Sequence, residues 1–202
     1  IQELAGKVKC AISIDTTKAE VAKQAIDAGA SIINDISAMT MDPEMINVAR
    51  DTGAGIILMH MRGSPRTMQD NPVYTDVVKE VKNYLRDRIE HLRASGINIK
   101  SIAVDPGIGF GKTVDHNIAL LANLKSLYQL GRPVIVGLSR KSFLGKLTGK
   151  PVEARLAGSI AATTFCVMNG ASVLRAHDAG ETLDAVKVVS ALVKQKDPEE
   201  YV

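Results

Sequence analysis

The 202-residue sequence contains no tryptophan, three phenylalanines, four tyrosines and only two cysteines. So few rings offer little for unpaired bases to stack on, and a net charge of +3 is too small for a phosphate-binding footprint. Nucleic acid is therefore not an expected partner. No run of about 18 apolar residues exists to span a bilayer, so no membrane partner is expected either. Ile1-Gln2-Glu3-Leu4 carries neither the basic start nor the apolar core of a secretory signal. Cys10 and Cys166 lie far apart without metal-ligand spacing, and read as reduced thiols packed as small buried hydrophobes. Together these features lead us to expect a cytoplasmic protein. Linker-like tracts, blocks of like charge and low-complexity runs are missing as well, so residues 1–202 read as a single domain.

What is present is one theme repeated six times: a short apolar run, a polar end, then an amphipathic stretch. The runs are Cys10–Ile14, Ser31–Ile33, Gly55–Met59, Ser101–Val104, Pro133–Val136 and Ser172–Leu174. They show little polar alternation, as expected of parallel strands buried on both faces. Between them lie helical stripes: Ala19, Val21, Ala22, Ala25 and Ile26; Val77, Val78, Val81, Leu85 and Ile89; Ile118, Leu121, Leu124 and Leu127; and Leu183, Val186, Val189 and Leu192. Repeated βα units imply an α/β fold with a parallel sheet and right-handed crossovers. An open doubly wound sheet would concentrate its polar strand ends near one switch point. Here all six runs end in polar or ionisable groups: Asp15, Asn34-Asp35, His60, Asp105, Ser139-Arg140-Lys141, and Arg175 with His177. Delivery of every strand end to one mouth is the habit of a TIM (β/α)8 barrel, here incomplete with about six βα units of eight.

The stretch AVDPGIGFGK, residues 103–112, invites comparison with phosphate-binding loops. A Walker A loop would need glycine where Pro106 stands, and a dinucleotide fingerprint would need glycine at Lys112. Both fail by one residue. What remains is a strand ending in a carboxylate and followed by a glycine-rich turn that can approach a ligand closely.

Five segments, SIDTTKAEVAKQAIDAGASIINDIS, MHMRGSPRTMQ, DPGIGFGKT, GLSRKSFLG and RAHD, together resemble bacterial dihydropteroate synthases, in order and with matching spacing. That resemblance implies a (β/α)8 barrel that condenses 6-hydroxymethyl-7,8-dihydropterin diphosphate with 4-aminobenzoate, releasing diphosphate and 7,8-dihydropteroate for folate synthesis. It implies Mg2+ as cofactor and a homodimer as the assembly. It also matches the six runs to the third to eighth family strands. The family's Mg2+-holding asparagine and two mobile loops would then lie outside this sequence, leaving no metal ligand in this chain.

The resemblance implies roles residue by residue. Asp15, Asp105 and Lys141 are the expected catalytic groups. A buried carboxylate such as Asp105 suits adjacent donors on the pterin edge, although Asp-Pro-Gly also caps its own turn. Asn34 can donate and accept at once, which suits a mixed ring edge. Asp15 would favour positive charge developing on the pterin, or else cap the following helix. Lys141 would contact the pterin beside the aminobenzoate pocket, with Met59 and Phe110 lining it. Arg175 and His177, which alternate across Ala176, are placed on the diphosphate. Asp35 reads as structural, His60 as a mouth histidine satisfied within the barrel, His91 as solvent-exposed, and Arg62 with Arg66 as a basic loop. Two other readings stand beside this one. A pterin-binding methyltransferase domain would need no diphosphate grip, against which SRK and RAHD speak; a pterin-binding fragment without activity is the other.

Overall fold

A computed structural model of the protein describes residues 1–196. Six strands, β1 (Ser13–Asp15), β2 (Ile32–Asp35), β3 (Gly55–Met59), β4 (Ile102–Asp105), β5 (Val134–Gly137) and β6 (Ala171–Arg175), form one sheet in sequence order. All neighbours are parallel. The helices are α1 (Gln2–Ala5), α2 (Ala19–Asp27), α3 (Met45–Thr52), α4 (Val77–Ala94), α5 (Val114–Ala122), α6 (Lys125–Tyr128), α7 (Ser142–Thr148), α8 (Leu156–Met168) and α9 (Ala179–Lys196).

The helices form for local reasons. Asp76 caps α4 by accepting the Lys79 N–H at 3.0 Å, and Val77, Val81, Leu85, Ile89 and Leu92 then bury one stripe. Lys18 cannot cap α2, so Asp42, 23 residues away, accepts the Ala19 N–H at 2.7 Å. Thr113 and His116 complete a capping box at the start of α5. Alternate strand residues Ile33, Ile56, Leu58, Ile102, Val104, Val134 and Val136 pack outward against these helices and form the core.

The sheet curls. Five steps of about 4.8 Å would hold the ends of β1 and β6 roughly 24 Å apart in a flat sheet. Instead Arg175 Nη1 of β6 donates to Asp15 Oδ2 of β1 at 3.0 Å. The architecture is a six-stranded half-barrel with its helices outside, as the strand ends led us to expect.

Several expectations need correction. The first strand begins three residues later than the apolar run suggests, and Cys10 is exposed while Cys166 is buried. Burial on both faces holds for β3 and β5 but fails for β6, where Val173 is 47% exposed. Among the described residues β1 and β6 pair on one side only, and β1, like β6, is largely exposed. The stripe assigned to the last helix is also too wide: Val189 is buried, whereas Leu183 and Leu192 face solvent.

Candidate active site

Parallel register brings the strand ends together in pairs. Asp15 stands opposite Asn34, Met59 opposite Asp105, and Gly137 opposite Arg175. These six, with Lys141 from the N-cap of α7 and Phe110 from the glycine-rich turn, line a single cleft at the mouth; Ile36, Gly107 and Ile108 complete its wall. Seven of the eight expected site residues are therefore in one place.

Its floor is a buried carboxylate. Asp105 is 8% exposed, and its Oδ1 accepts the Gly107 N–H at 2.7 Å. Among the described residues Oδ2 has no hydrogen bond, so the residue caps its turn with one oxygen and keeps the other for the cleft. Burial raises the Asp105 pKa, opposed by the Gly107 N–H and by the charges of Arg175, Lys141 and Lys112. Burial lowers the Lys141 pKa, with Asp105 opposing it. The Lys141 ammonium lies 4.4 Å from the centroid of the Phe110 ring, an arrangement that orders both walls of the cleft.

The rim is held by Asp15. Its Oδ1 accepts from Asn34 Nδ2 at 2.9 Å and its Oδ2 from Arg175 Nη1 at 3.0 Å. One carboxylate thus orients an amide on β2 and a guanidinium on β6.

His177 takes a different place. It is exposed and outside the cleft lining, with its N–H donating to Ser139 Oγ at 3.2 Å and its Nδ1 3.0 Å from the same oxygen. Arg140, at a left-handed φ of 59°, forks onto Asp178 at 3.1 and 2.5 Å. These contacts tie the loop that follows β5 to the loop that follows β6. Strand alternation puts Arg175 and His177 on one side, yet the chain leaves the strand at Arg175 and the second side chain turns outward.

Asp35 is structural: it is fully buried and its Oδ1 accepts from Ser37 N and Oγ at 2.7 and 2.6 Å. Burial pushes the pKa of His60 down to about 3, helped by the charges of Lys112 and Arg62. His91 is exposed on α4. Arg62 is spent on the Tyr74 ring at 4.0 Å and on Glu80 at 2.8 Å, while Arg66 is exposed. Sequence reasoning missed Ile36 and Gly137 as lining residues, and Ser139 as the support of His177. It also took Lys112 only as part of two loop patterns that fail, the Walker A loop and the dinucleotide fingerprint. Position at a strand end was the available signal for Gly137 and Ser139. Among the described residues no group of three or more His, Cys, Asp or Glu could hold a metal ion.

A half-barrel whose strand ends present carboxylates, an amide and cations around an apolar slot defines a class of barrel enzymes acting on a flat polar heterocycle. Comparison with known proteins identifies that class. The family described as pterin binding enzyme matches residues 1–177. Dihydropteroate synthase of Escherichia coli K12 is 39% identical over 201 residues, covering 100% of this chain and 71% of the relative. Two solved structures of Xanthomonas albilineans dihydropteroate synthase superpose closely. The one with 4-aminobenzoic acid gives a TM-score of 0.89 at 41% identity, covering 95% of this chain and 68% of that one. The one with 7,8-dihydropteroate gives 0.88 at 40%, covering 95% and 70%. The chain belongs to the pterin-binding enzyme family, among the dihydropteroate synthases.

Proposed function

We infer that the chain condenses 6-hydroxymethyl-7,8-dihydropterin diphosphate with 4-aminobenzoate, a transferase reaction of folate synthesis that gives 7,8-dihydropteroate and diphosphate. The observation that carries this reading is the convergence of Asp15, Asn34, Asp105, Lys141 and Arg175 on one cleft walled by Met59 and Phe110. The relatives at about 40% identity and the complex of one of them with 7,8-dihydropteroate support it.

In this reading the free oxygen of Asp105 receives adjacent N–H donors of the pterin ring, and Asn34 reads the neighbouring edge. The C–O bond from the pterin methylene to diphosphate breaks while the aniline nitrogen forms the new C–N bond; the amine then loses a proton to solvent. Positive charge develops on the methylene and spreads over the ring. Asp15 and Asp105 stabilise it more than they stabilise the neutral ground state, which is what lowers a barrier. Lys141 stands between ring and amine and contacts the pterin carbonyl. Arg175, already aimed across the mouth by Asp15, takes the departing diphosphate, and His177 supports it from the rim once it swings off Ser139.

Any Mg2+ would arrive bound to the diphosphate as part of the substrate, since the described residues include no group of three or more His, Cys, Asp or Glu to hold a resident ion. The chain's own grip on the leaving group falls to Arg175 and His177. We also propose a homodimer through the apolar groove between α8 and α9, where Met168, Val188 and Leu192 are exposed. We propose a cytoplasmic location; no described helix is long and apolar enough to cross a membrane.

The test is to supply both substrates with Mg2+ and follow dihydropteroate by chromatography and diphosphate release in parallel. We expect diphosphate release that depends on 4-aminobenzoate. Pterin binding without such release would leave a binding protein; methyl transfer from a methylated pterin to a corrinoid would favour the methyltransferase reading.

A further inference from the structure

Lys112 is 3% exposed, and no step above uses it. Its ammonium donates to Gly107 O and Phe110 O at 3.0 Å each, and lies 3.0 Å from His60 Nδ1 and 3.3 Å from His60 O. An ammonium has three donors. All are spent inside the protein, and none remains for a ligand.

The acceptors come from two strand ends. His60 follows β3, whereas Gly107 and Phe110 belong to the turn after β4, and both of these line the cleft. Gly107 is held at both polar ends of its residue: its N–H donates to Asp105 Oδ1 at 2.7 Å and its carbonyl accepts from Lys112. The two backbones touch because Gly107 has no Cβ. One built there would lie 1.9 Å from His60 O. Tyr74 adds a hydroxyl bond to Gly111 O at 2.8 Å from the same side.

We propose that Lys112 is a positioning residue for the pterin site, an internal clamp that seats the Asp105–Gly111 turn on the end of β3 and so holds Asp105 and Phe110 where the ring meets them. The proposal rests on the pterin reading above. It deepens that reading by making a buried lysine outside the cleft responsible for the geometry of the ring-binding carboxylate.

The charge of Lys112 also reaches Asp105. The ionisable groups facing Lys112 are His60 and Arg62 from β3 and its loop, Asp105 from β4 and Lys141 from the start of α7, with Arg175 of β6 acting on Asp105 in turn. Burial lowers the Lys112 pKa to about 7, with Asp105 opposing and Arg62 and Lys141 assisting. Below that pH Lys112 is charged and favours the carboxylate form of Asp105.

The experiment titrates the chain and Lys112→Met with 6-hydroxymethyl-7,8-dihydropterin and with its diphosphate from pH 5 to 9, and measures KM for 4-aminobenzoate. We expect Lys112→Met to weaken both pterins equally, by about tenfold, and to raise KM for 4-aminobenzoate as well, because the same turn carries Phe110. The acid limb of pterin binding should move to higher pH, because Asp105 has lost a positive neighbour. A lowered melting temperature with unchanged pterin affinity and an unmoved acid limb would overturn the proposal, since a merely structural lysine would behave that way.

If the variant does not fold, reductive methylation of the unaltered chain decides. Lys112 should resist the reagent with and without pterin, whereas Lys141 should be modified freely and protected by the ligand. Ready methylation of Lys112 in the free chain would refute the clamp. Failure of the unaltered chain to bind either pterin would instead count against the function itself, so the two failures are told apart.

Discussion

Arg175 and Asp15 sit on the last and first strands of the sheet, 160 residues apart, and meet at 3.0 Å across the mouth of the half-barrel. The side chains are 48% and 60% exposed, so the pair contributes little to stability, in the range of about 0–1 kcal/mol. Its consequence is orientation: a guanidinium at the rim is held over the cleft before any ligand arrives. Asp15→Asn should therefore leave the melting temperature within a few degrees of the parent while raising KM for the pterin diphosphate about tenfold. Thermal unfolding and steady-state kinetics on the same preparation check both halves.

Division of labour between rim and floor is testable by ligand choice. Arg175→Ala should weaken dihydropterin diphosphate and leave the pterin without phosphates almost untouched. Asp105→Asn should weaken both, by about 1–3 kcal/mol for each charged hydrogen bond left unmade. Calorimetric titration of both variants with both ligands gives four numbers, and equal losses throughout would contradict the assignment.

The neutral His60 makes stability depend on pH. Its pKa is pushed down to about 3 by burial first and then by Lys112 and Arg62, whereas an unfolded histidine titrates near 6.5. Between those values the unfolded chain takes up a proton that the folded chain refuses, so the contribution is complete above about 6.5 and is lost as pH falls. His60→Asn removes the group. Urea unfolding at pH 7 and pH 4.5 should show an acid-induced loss smaller in the variant by roughly 2–3 kcal/mol.

Two glycines separate strain from collision. Gly131 has a φ of +65° and open space where a Cβ would go, while Gly107 has a φ of +66° and a carbonyl in the way. Gly131→Ala should cost about 1 kcal/mol of stability and leave activity intact. Gly107→Ala must lift the turn off β3, so pterin binding should be lost even where the chain still folds. Circular dichroism melts paired with pterin titration separate the outcomes.

Much was legible in the chain itself. Repeated apolar runs ending in polar residues specify parallel βα units because a strand covered on both faces cannot tolerate alternation. Asp15, Asp105 and Arg175 at their strand ends, and Asn34 one residue before the end of β2, are informative because inward-facing residues at the C-terminal end of a barrel strand line the mouth. The stripe Val77, Val78, Val81, Leu85 and Ile89 is local physics of the same kind, and all of it but the half-buried Val78 is buried.

Other features only the folded chain could decide. The pairing of Asp15 with Arg175 depends on the curl of the whole sheet, which no local pattern encodes. His177 leaves the cleft because the backbone turns after Arg175, so the period of two that linked the pair no longer applies. Cys10 and Leu192 look like core residues by type, but burial depends on which neighbour covers a face. Lys112 is the sharpest case. In sequence it is a lysine after a glycine-rich run, the mark of a phosphate ligand. In the fold, carbonyls from two strand ends 52 and five residues away surround its ammonium and take all its donors. Residue type and spacing limit what a side chain can do, and the partners that tertiary packing brings within 3 Å decide which of those things it does.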